Sequence, residues 1–537
     1  MSRILSIDLV VRRSIHPQPR RRSGRQREKS GKILMANNLS DVLFGGKAGD
    51  LALIESMDAG VRTFTYGELN ARVNALGRSL KARFGGAPFR VAVLARNSAD
   101  YVAIYFAAMR AGGTVVPFNW RASDAAIDFL LRDAAIDLVL TDDAERHGRR
   151  DNVVVIGSAA WQSLQDEGPL DPVSVGEDDI AQILYTSGST GTPKGVPLSH
   201  AGQYWAVEEG AKLVADPASY RVLVAAPLFH MNALFNIKRT FHTGGSVVVL
   251  PGFTPAGFAR AIDTFRCDWV SGVPTMIAML ARHLGDDVPS AFARVRFLFI
   301  GSAPYGDNLV AEARRLFPNA EIANFYGTTE AGPTVYGRHP DGRSTPPLSC
   351  GYPLIPENVR LVAADGSPVT GEGEGTLHMR TPATMTGYLN RPETSAAVLK
   401  DGWYDSRDII RQDADGFHYF IGRADDMFIS GGHNIYPAEV ERVLEQHPAI
   451  EQAIVVPVPD DLKHEVPAAF VVARGGAPLD EEAVKAWFVT QADPYLHPRH
   501  VFAVPEIPLA QTNKVDRTRL KAEAAALSGR DRVTSAA

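Results

Sequence analysis

Between Thr63 and Ile300, short β-branched runs alternate with amphipathic segments, and this alternation constrains the fold more than any other feature of the chain. The stretch TFTYGELNARVNALGRSLKA begins strand-like and turns helical through Leu69, Val73, Leu76 and Leu80, at spacings of three and four. Arg90–Leu94 reads as a strand, and Ser98–Ala111 as a helix with Ser98 at its N-cap. Gly112 and Gly113 stop that helix, and Thr114–Pro117 is the next strand. The rhythm continues through Leu138–Leu140, Val153–Ile156, Val222–Ala225, Val247–Leu250 and Phe297–Ile300. Strands alternating with helices predict α/β layers with mostly parallel pairing, whose active sites lie at the carboxyl ends of strands.

Beyond about residue 350 the texture changes. Segments rich in Gly, Thr and Pro, such as GEGEGTLHMRTPATMTGY, predict hairpins of a small β subdomain. A second change comes at Gly422–Asp426. After it, a helix over 437–446, strands at 453–456 and 468–472 and a helix over 481–490 predict a small α+β domain, fraying after Leu527. The expected architecture is therefore α/β: a large N-terminal domain over 35–424, built of layered α/β subdomains plus a small β subdomain. A small mobile α+β C-terminal domain over 425–537 follows it. No internal repeat is visible.

Charge separates one more segment. Residues 1–34 hold ten Arg or Lys against Asp8 and Glu28, although the whole chain of 537 residues has a net charge of −5. Nucleic-acid or membrane contact, an organellar transit peptide and an extension outside the working protein are all open for this basic arm. The reading preferred here is a disordered or spurious extension, because Arg-rich arms without apolar periodicity do not pack. No apolar run is long enough for a membrane span. Two distant cysteines, Cys267 and Cys350, suit buried thiols in a reducing, cytoplasmic setting rather than a disulfide or metal site.

The stretch Tyr185–Val196 reads YTSGSTGTPKGV. Its glycines let backbone N–H groups approach phosphate oxygens, its hydroxyls donate further bonds, and Lys194 adds a mobile positive charge. The spacing is not GxxxxGK[ST], since Pro193 precedes the lysine and Gly195 follows it. Taken alone, the stretch reads equally as a polar surface linker.

Five further stretches follow it in order: APLFH (226–230), IGSAP (300–304), NFYGTTE (324–330), WYDSRD (403–408) and GRADDMFISGGHNIYP (422–437), with Lys514 in LAQTNKVDR near the end. Together they resemble the adenylate-forming superfamily of acyl-CoA synthetases, stand-alone adenylation domains and firefly-type luciferases, over roughly residues 40–525. The resemblance implies attack of a carboxylate on the α-phosphorus of ATP, giving an acyl adenylate and pyrophosphate, then transfer of the acyl group to a thiol. It implies that Thr186, Ser187, Gly188, Ser189, Thr190, Gly191 and Lys194 cradle the β- and γ-phosphates. Thr329 meets the α-phosphate, and Glu330 holds Mg²⁺. Tyr326 and the Gly301-Ser302-Ala303-Pro304 backbone pack the two faces of the adenine, and Asn324, Gly327 and Thr328 belong to the same cofactor-binding set. Asp408 receives the ribose hydroxyls, with Arg423 beside the hinge residue Asp425. Gly431 and Gly432 flank a tunnel for the pantetheine thiol of coenzyme A, His230 gates the acyl pocket, and Lys514 bridges carboxylate and α-phosphate.

Two positions depart from the family pattern. Arg407 stands where relatives have glycine, free to reach a phosphate or face solvent, and His433 replaces a glutamate after the glycine pair. An acyl pocket is expected from 229–236, 273–279, 301–304 and 327. Met231, Met276 and Met279 make its lining adaptable, and Lys238 or Arg239 stands one turn on. The resulting expectation is an acyl-CoA synthetase acting with ATP, Mg²⁺ and CoA on a medium-size aliphatic or aromatic monocarboxylate, as in fatty acid metabolism. An enzyme loading a carrier-protein thiol and a non-catalytic nucleotide-binding relative are the alternatives. No nucleic-acid partner and no stable membrane insertion are expected, and a homodimer is left open.

Overall fold

The structure, a computed structural model, describes residues 35–148, 150, 152–186, 192–214, 216–460, 462–509 and 515–535. The basic arm lies outside them. Two parallel sheets carry the α/β region. In the first, strands run in the order Ile180–Thr186, Thr114–Pro117, Arg90–Leu94, Leu138–Thr141, Val153–Val155, all parallel. Lys194–Ser199 closes the edge antiparallel to Ile180–Thr186, with Lys194 opposite Thr186. The glycine-rich stretch therefore joins two arms of a hairpin. Lys194 opens a strand, so its backbone is fixed where the sequence suggested a mobile loop charge.

In the second sheet the order is Glu321–Phe325, Phe297–Gly301, Trp269–Gly272, Arg221–Val224, Ser246–Val249, Leu51–Met57, again all parallel, with Gly60–Thr65 antiparallel at the edge. Side chains alternate across it. Leu223, Val248, Val270, Leu298 and Ile300 bury against Ile262, Ile277 and Leu316 on one face. Val222, Val224, Val247, Trp269 and Phe297 bury on the other, in the same core as Leu234 and Phe235 of the helix Met231–His242. Burial on both faces is why these strands read as continuous apolar runs. The helix Ala99–Arg110 starts where expected, and Ser98 Oγ accepts from the Tyr101 N–H at 3.0 Å.

The expected β subdomain is an open antiparallel sheet of Val359–Val362, Gly373–Met379, Trp403–Gln412, Leu399–Lys400 and His418–Arg423. Along Trp403–Gln412 the buried positions are Tyr404, Ser406, Asp408 and Ile410. Period-2 alternation thus turns a carboxylate inward.

The C-terminal region is a second α+β unit. A long hairpin, Ile450–Asp460 with His464–Ala473, accepts His500–Ala503 in parallel and carries the helices Pro437–Leu444, Glu481–Phe488 and Arg517–Ser535. The first two helices end two residues before the sequence reading placed them. After Leu444 the chain tightens, with the Gln446 N–H bonding the Val443 carbonyl, which ends the helical pattern. The last helix runs past Leu527, where fraying was expected, because Leu520 and Ala524 anchor it against Phe470 and Val458. This region touches the α/β body through Arg282 and Glu451 (2.6 Å) and through Asn308 Nδ2, which donates to the Glu445 carbonyl. Gly306 makes the approach close: a Cβ there would lie 2.7 Å from Glu445 Oε2. Both cysteines are buried and unpaired, and burial pushes each thiol up to about 12. No helix among the described residues is long and apolar enough to cross a membrane.

Candidate active site

Parallel pairing of Phe297–Gly301 with Glu321–Phe325 sets Gly301 opposite Phe325, so the segments that follow, Ser302-Ala303-Pro304 and Tyr326-Gly327, leave the sheet side by side. Ser302 has φ +69°, an unusual conformation for serine that turns the chain back across the strand ends. Gly327 has no room for a side chain, since a Cβ would sit 2.7 Å from Pro333 Cα. Thr328 and Gly332 then form an antiparallel bridge, and Thr328 Oγ1 accepts from the Ala331 N–H at 3.0 Å. This tight turn carries Thr329 and Glu330. Asn324 Nδ2 donates to the Leu348 carbonyl at 3.0 Å and so fixes the next loop rather than pointing at the turn.

Glu330 is 9% exposed, and burial raises its carboxyl above the ordinary range. Oε1 accepts from the Tyr388 hydroxyl at 3.0 Å, and no Lys or Arg pairs with this carboxylate among the described residues. Lys194 Nζ lies 5.2 Å from the centre of the Tyr388 ring, so the hairpin lysine and the buried glutamate meet on one tyrosine. Asp408, 4% exposed, stands next to them. Its Oδ1 takes Arg423 Nη1 at 2.8 Å, and its Oδ2 accepts from the Tyr326 hydroxyl. Desolvation raises the Asp408 carboxyl to about 6, against the opposing pull of Arg423. Arg423 also reaches Asp425 Oδ2 at 3.3 Å, inside a turn where the Asp426 and Met427 N–H groups bond the Arg423 carbonyl. One guanidinium therefore connects the buried carboxylate to the turn that leads into the C-terminal unit.

Of the candidate site residues, Thr186, Lys194, Gly301, Ser302, Ala303, Pro304, Tyr326, Gly327, Thr328, Thr329, Glu330, Asp408, Arg423 and Asp425 gather in this region. Ser187, Gly188, Ser189, Thr190, Gly191 and Lys514 lie outside the described residues. Gly431 and Gly432, with φ +55° and +87°, form a two-residue hairpin turn joining Phe428–Ser430 to His433–Ile435. Positive φ at both positions is itself a reason for two glycines. His433 stacks on Tyr495, with ring centres 4.5 Å apart and planes 13° apart. Tyr388 was missed by the sequence reading. Nothing in GYLN distinguishes it from a core tyrosine.

Arg407 explains its own departure from the family glycine. Its φ is +61°, its N–H bonds Asp405 Oδ1 at 2.9 Å and its Nε pairs with Asp405 Oδ2 at 3.3 Å. The backbone still has the conformation that favours glycine, while the side chain lies on a neighbouring aspartate. Arg407→Gly is accordingly expected to stabilise the protein by about 1 kcal/mol, measured as a raised midpoint of urea unfolding.

His230 occupies the N-cap position of Met231–His242, against Phe229 with ring centres 4.5 Å apart. Along that helix Asn232 Nδ2 reaches Ser302 Oγ at 3.5 Å, and Asn236 Nδ2 bonds Asn232 Oδ1 at 2.8 Å and Ser271 Oγ at 3.3 Å. Further along lies a cavity of about 410 Å³, lined among others by Phe235, Arg239, Trp269, Phe299 and Tyr336. None of Met231, Met276 and Met279, expected in an acyl lining, borders this cavity. Met276 packs with Ile277 and Leu280 in the core on the opposite face of the sheet, and Met279 is 41% exposed. The helix Pro274–Leu284 covers that opposite face, so its side chains cannot reach the cavity.

Known proteins resemble this chain in sequence and fold. The family model described as AMP-binding enzyme matches residues 45–389, and the model of the AMP-binding enzyme C-terminal domain matches 439–514. A feruloyl-CoA synthase of Amycolatopsis sp is 34% identical over 85% of this chain and 93% of the relative. An indoleacetate–CoA ligase of Aromatoleum aromaticum is 32% identical over 84% and 92%. Among solved structures, the o-succinylbenzoate coenzyme A synthetase of Bacillus subtilis in complex with ATP and magnesium ion superimposes with a TM-score of 0.77 at 26% identity, over 91% of this chain and all of that one. A buried glutamate in the turn after a parallel strand, a buried aspartate of the antiparallel subdomain and a hairpin lysine meet in one region, and the two matched family models show that this chain belongs to the AMP-binding enzyme family, the adenylate-forming enzymes of carboxylate–CoA ligase type.

Proposed function

We propose that the chain converts a medium-size monocarboxylate, ATP and CoA into an acyl-CoA, AMP and pyrophosphate, with an aromatic acid as the preferred substrate. The observation that carries this reading is the meeting of Lys194, Glu330, Asp408 and Arg423 around Tyr326 and Tyr388. Two anions, carboxylate and triphosphate, must be brought together in one pocket, and fixed positive charge with in-line positioning is what the protein can contribute. In this reading Thr186 and Lys194 hold the outer phosphates together with Ser187–Gly191, and Thr329 meets the α-phosphate. Tyr326 and the Gly301–Pro304 segment take the adenine, and Asp408 takes the ribose hydroxyls on lone pairs left free by Arg423 and Tyr326.

Magnesium fits Glu330. Among the described residues its carboxylate forms no ion pair, Arg423 and Lys194 acting on it only at longer range, and no cluster of three potential ligands occurs, as suits an ion held chiefly by phosphate oxygens and water. When bound, the ion neutralises phosphate charge. The body (35–424) and the mobile unit (425–537) turn about Asp425 between half-reactions, exchanging Lys514 for the Gly431–Gly432 turn. The two buried thiols agree with a reducing, cytoplasmic setting.

Aromatic preference rests on the cavity walls, Phe235, Trp269, Phe297, Phe299 and Tyr336, and on the aromatic acids in the names of the two relatives. The test is a panel of aryl and alkyl acids with ATP and free CoA, reading AMP release and thioester by mass spectrometry. Thioester from aryl acids is expected. AMP release that requires a carrier protein, or pyrophosphate release with dicarboxylates alone, would overturn the reading.

A further inference from the structure

We propose that Glu445 is a proton-operated latch between the C-terminal unit and the body: its carboxyl closes, protonated, against the start of the helix Asp307–Leu316 and gives up that proton when the unit swings away. It rests on the synthetase reading above only for the swing of this unit between half-reactions.

At this interface Arg282 Nη2, on the helix Pro274–Leu284, pairs with Glu451 Oε1 at 2.6 Å, and Asn308 Nδ2 donates to the Glu445 carbonyl. The Glu445 side chain lies over Gly306. Gly306 is the N-cap of Asp307–Leu316 and brings no capping side chain, whereas Ser98, Ser123, Ser199 and Thr254 each accept an N–H of the helix they start. Glu445 Oε2 fills the space in front of Gly306, 2.7 Å from where a Cβ would stand. A glutamate of one unit therefore sits where the other unit's helix lacks a side chain.

A carboxylate enclosed there needs a counter-charge, and the packed elements supply none. Oε1 accepts from the Ala453 N–H at 3.3 Å, inside its own unit, and Oε2 has no bonded donor among the described residues. Glu441, one turn earlier, adds repulsion, although Arg517 Nη2 holds it at 2.8 Å. Arg442 acts on Glu439, Arg282 is taken by Glu451, and burial holds His447 below its ordinary value, in its neutral form. The helix end favours an anion, but Asp307 in its first turn already answers it. Desolvation therefore dominates and pushes the Glu445 carboxyl up to about 8. The bland account is that Glu445 braces its own unit through Ala453. That bond uses Oε1 alone and does not require Oε2 to close on Gly306.

With the unit away from Gly306, water reaches the carboxyl and it returns towards its ordinary value of 4.5. The docked form then binds a proton that the undocked form releases. Docking is tightest in acid and weakens by about tenfold per pH unit as pH rises from the ordinary value to about 8. Asn308 carries no charge and keeps its bond at every pH. The Gly431–Gly432 turn is exposed in this arrangement. In the synthetase reading this is the arrangement that precedes thiol delivery, and rising pH favours leaving it.

The experiment uses the full chain with fluorophores on Val61→Cys in the body and Val489→Cys in the C-terminal unit, both exposed positions, while Cys267 and Cys350 are buried and escape labelling. Energy transfer is read from pH 6 to pH 9 without substrates. In wild type the docking constant is expected to fall by about tenfold per pH unit up to about pH 8. Glu445→Gln, which copies the protonated carboxyl and keeps the Ala453 bond, is expected to stay docked throughout. Arg282→Ala is expected to weaken docking and retain the pH response. Separately, the infrared difference between wild type and Glu445→Gln is expected to show a protonated carboxyl at pH 6 that is gone at pH 10. An ionised carboxylate at pH 6 overturns the proposal whatever the labelled chains do. So does a wild-type transfer signal that is flat over the range, or a pH response that Glu445→Gln leaves intact. Absence of thioester from any acid refutes the synthetase reading instead and leaves both of these measurements standing.

Discussion

Asp408→Asn is expected to lower kcat/KM for ATP by about 100-fold with little change in KM for the acid, measured in the pyrophosphate-exchange half-reaction. A hydrogen bond to a charged group is worth about 1.5–3 kcal/mol, and the ribose diol places two on this carboxylate. The amide removes the charge and turns one acceptor into a donor, which then faces Arg423 Nη1 or the Tyr326 hydroxyl, both of which now donate to Asp408. Arg423 is 42% exposed on its side chain, so water screens its loss of partner and the stability cost stays well below that of a fully buried pair. The effect should therefore appear in ATP use rather than in folding.

The same carboxylate predicts a pH profile. Burial holds it at about 6, so it is mostly ionised at pH 7 and mostly protonated at pH 5. Only the ionised form offers both oxygens to the ribose. Between those two pH values kcat/KM for ATP should fall by about tenfold from this group alone. The stability linkage has the opposite sign. A carboxyl raised on folding from 3.8 to about 6 contributes stability that is full below the lower value and is lost as pH rises through the upper one. Because ATP also titrates near pH 6–7, Asp408→Asn is the control: the part of the acid-limb fall due to Asp408 must vanish in it. A wild-type profile that matches the variant's would refute the assignment.

Much of this site was legible because its residues follow strands. The runs Phe297–Ile300 and Ile322–Phe325 announce parallel strands, and motifs directly after parallel strands arrive at one end of a sheet. Asp408 was legible as a motif residue, and its inward direction follows from the alternation of Tyr404, Ser406, Asp408 and Ile410. What stayed hidden depends on tertiary neighbours. Tyr388 is 58 residues from Glu330, and no local pattern distinguishes it from a core aromatic. Met276 and Met279 follow the strand Trp269–Gly272 but belong to a helix on its far face, a choice made by the crossover and not by composition. Lys238 and Arg239 are adjacent in sequence yet bond in different directions, to Gln203 and beside Trp269. Both are buried, where charge alone predicts exposure. The strand after the glycine-rich stretch was unreadable for another reason, since KGVPLS contains a proline and a glycine, and only the edge of a sheet accepts both.

Lys514→Ala should have the larger effect and should separate the two half-reactions. Acid-dependent ATP–pyrophosphate exchange is expected to fall about 10²- to 10³-fold, while CoA attack on supplied acyl adenylate changes by less than about threefold. During adenylation negative charge accumulates between carboxylate and α-phosphate, and an ammonium on a flexible stem can follow it. Thioester formation disperses that charge onto a leaving AMP and needs the thiol path instead. Although Lys514 itself is outside the described residues, both ends of its segment are fixed. Leu509 and Val515 form an antiparallel bridge, the Asp516 N–H bonds the Pro508 carbonyl at 2.9 Å, and Arg517 Nη2 holds Glu441 Oε1 at 2.8 Å. A lysine one residue from so firm a base is carried by the whole C-terminal unit, and that unit leaves the body through the Arg423–Asp425 turn that also contacts Asp408. Loss of the ammonium should therefore remove one chemical contribution without loosening the fold, and the unfolding midpoint should match wild type. Equal loss in both half-reactions would mean that Lys514 serves structure, and undiminished exchange would mean that another cation meets the α-phosphate.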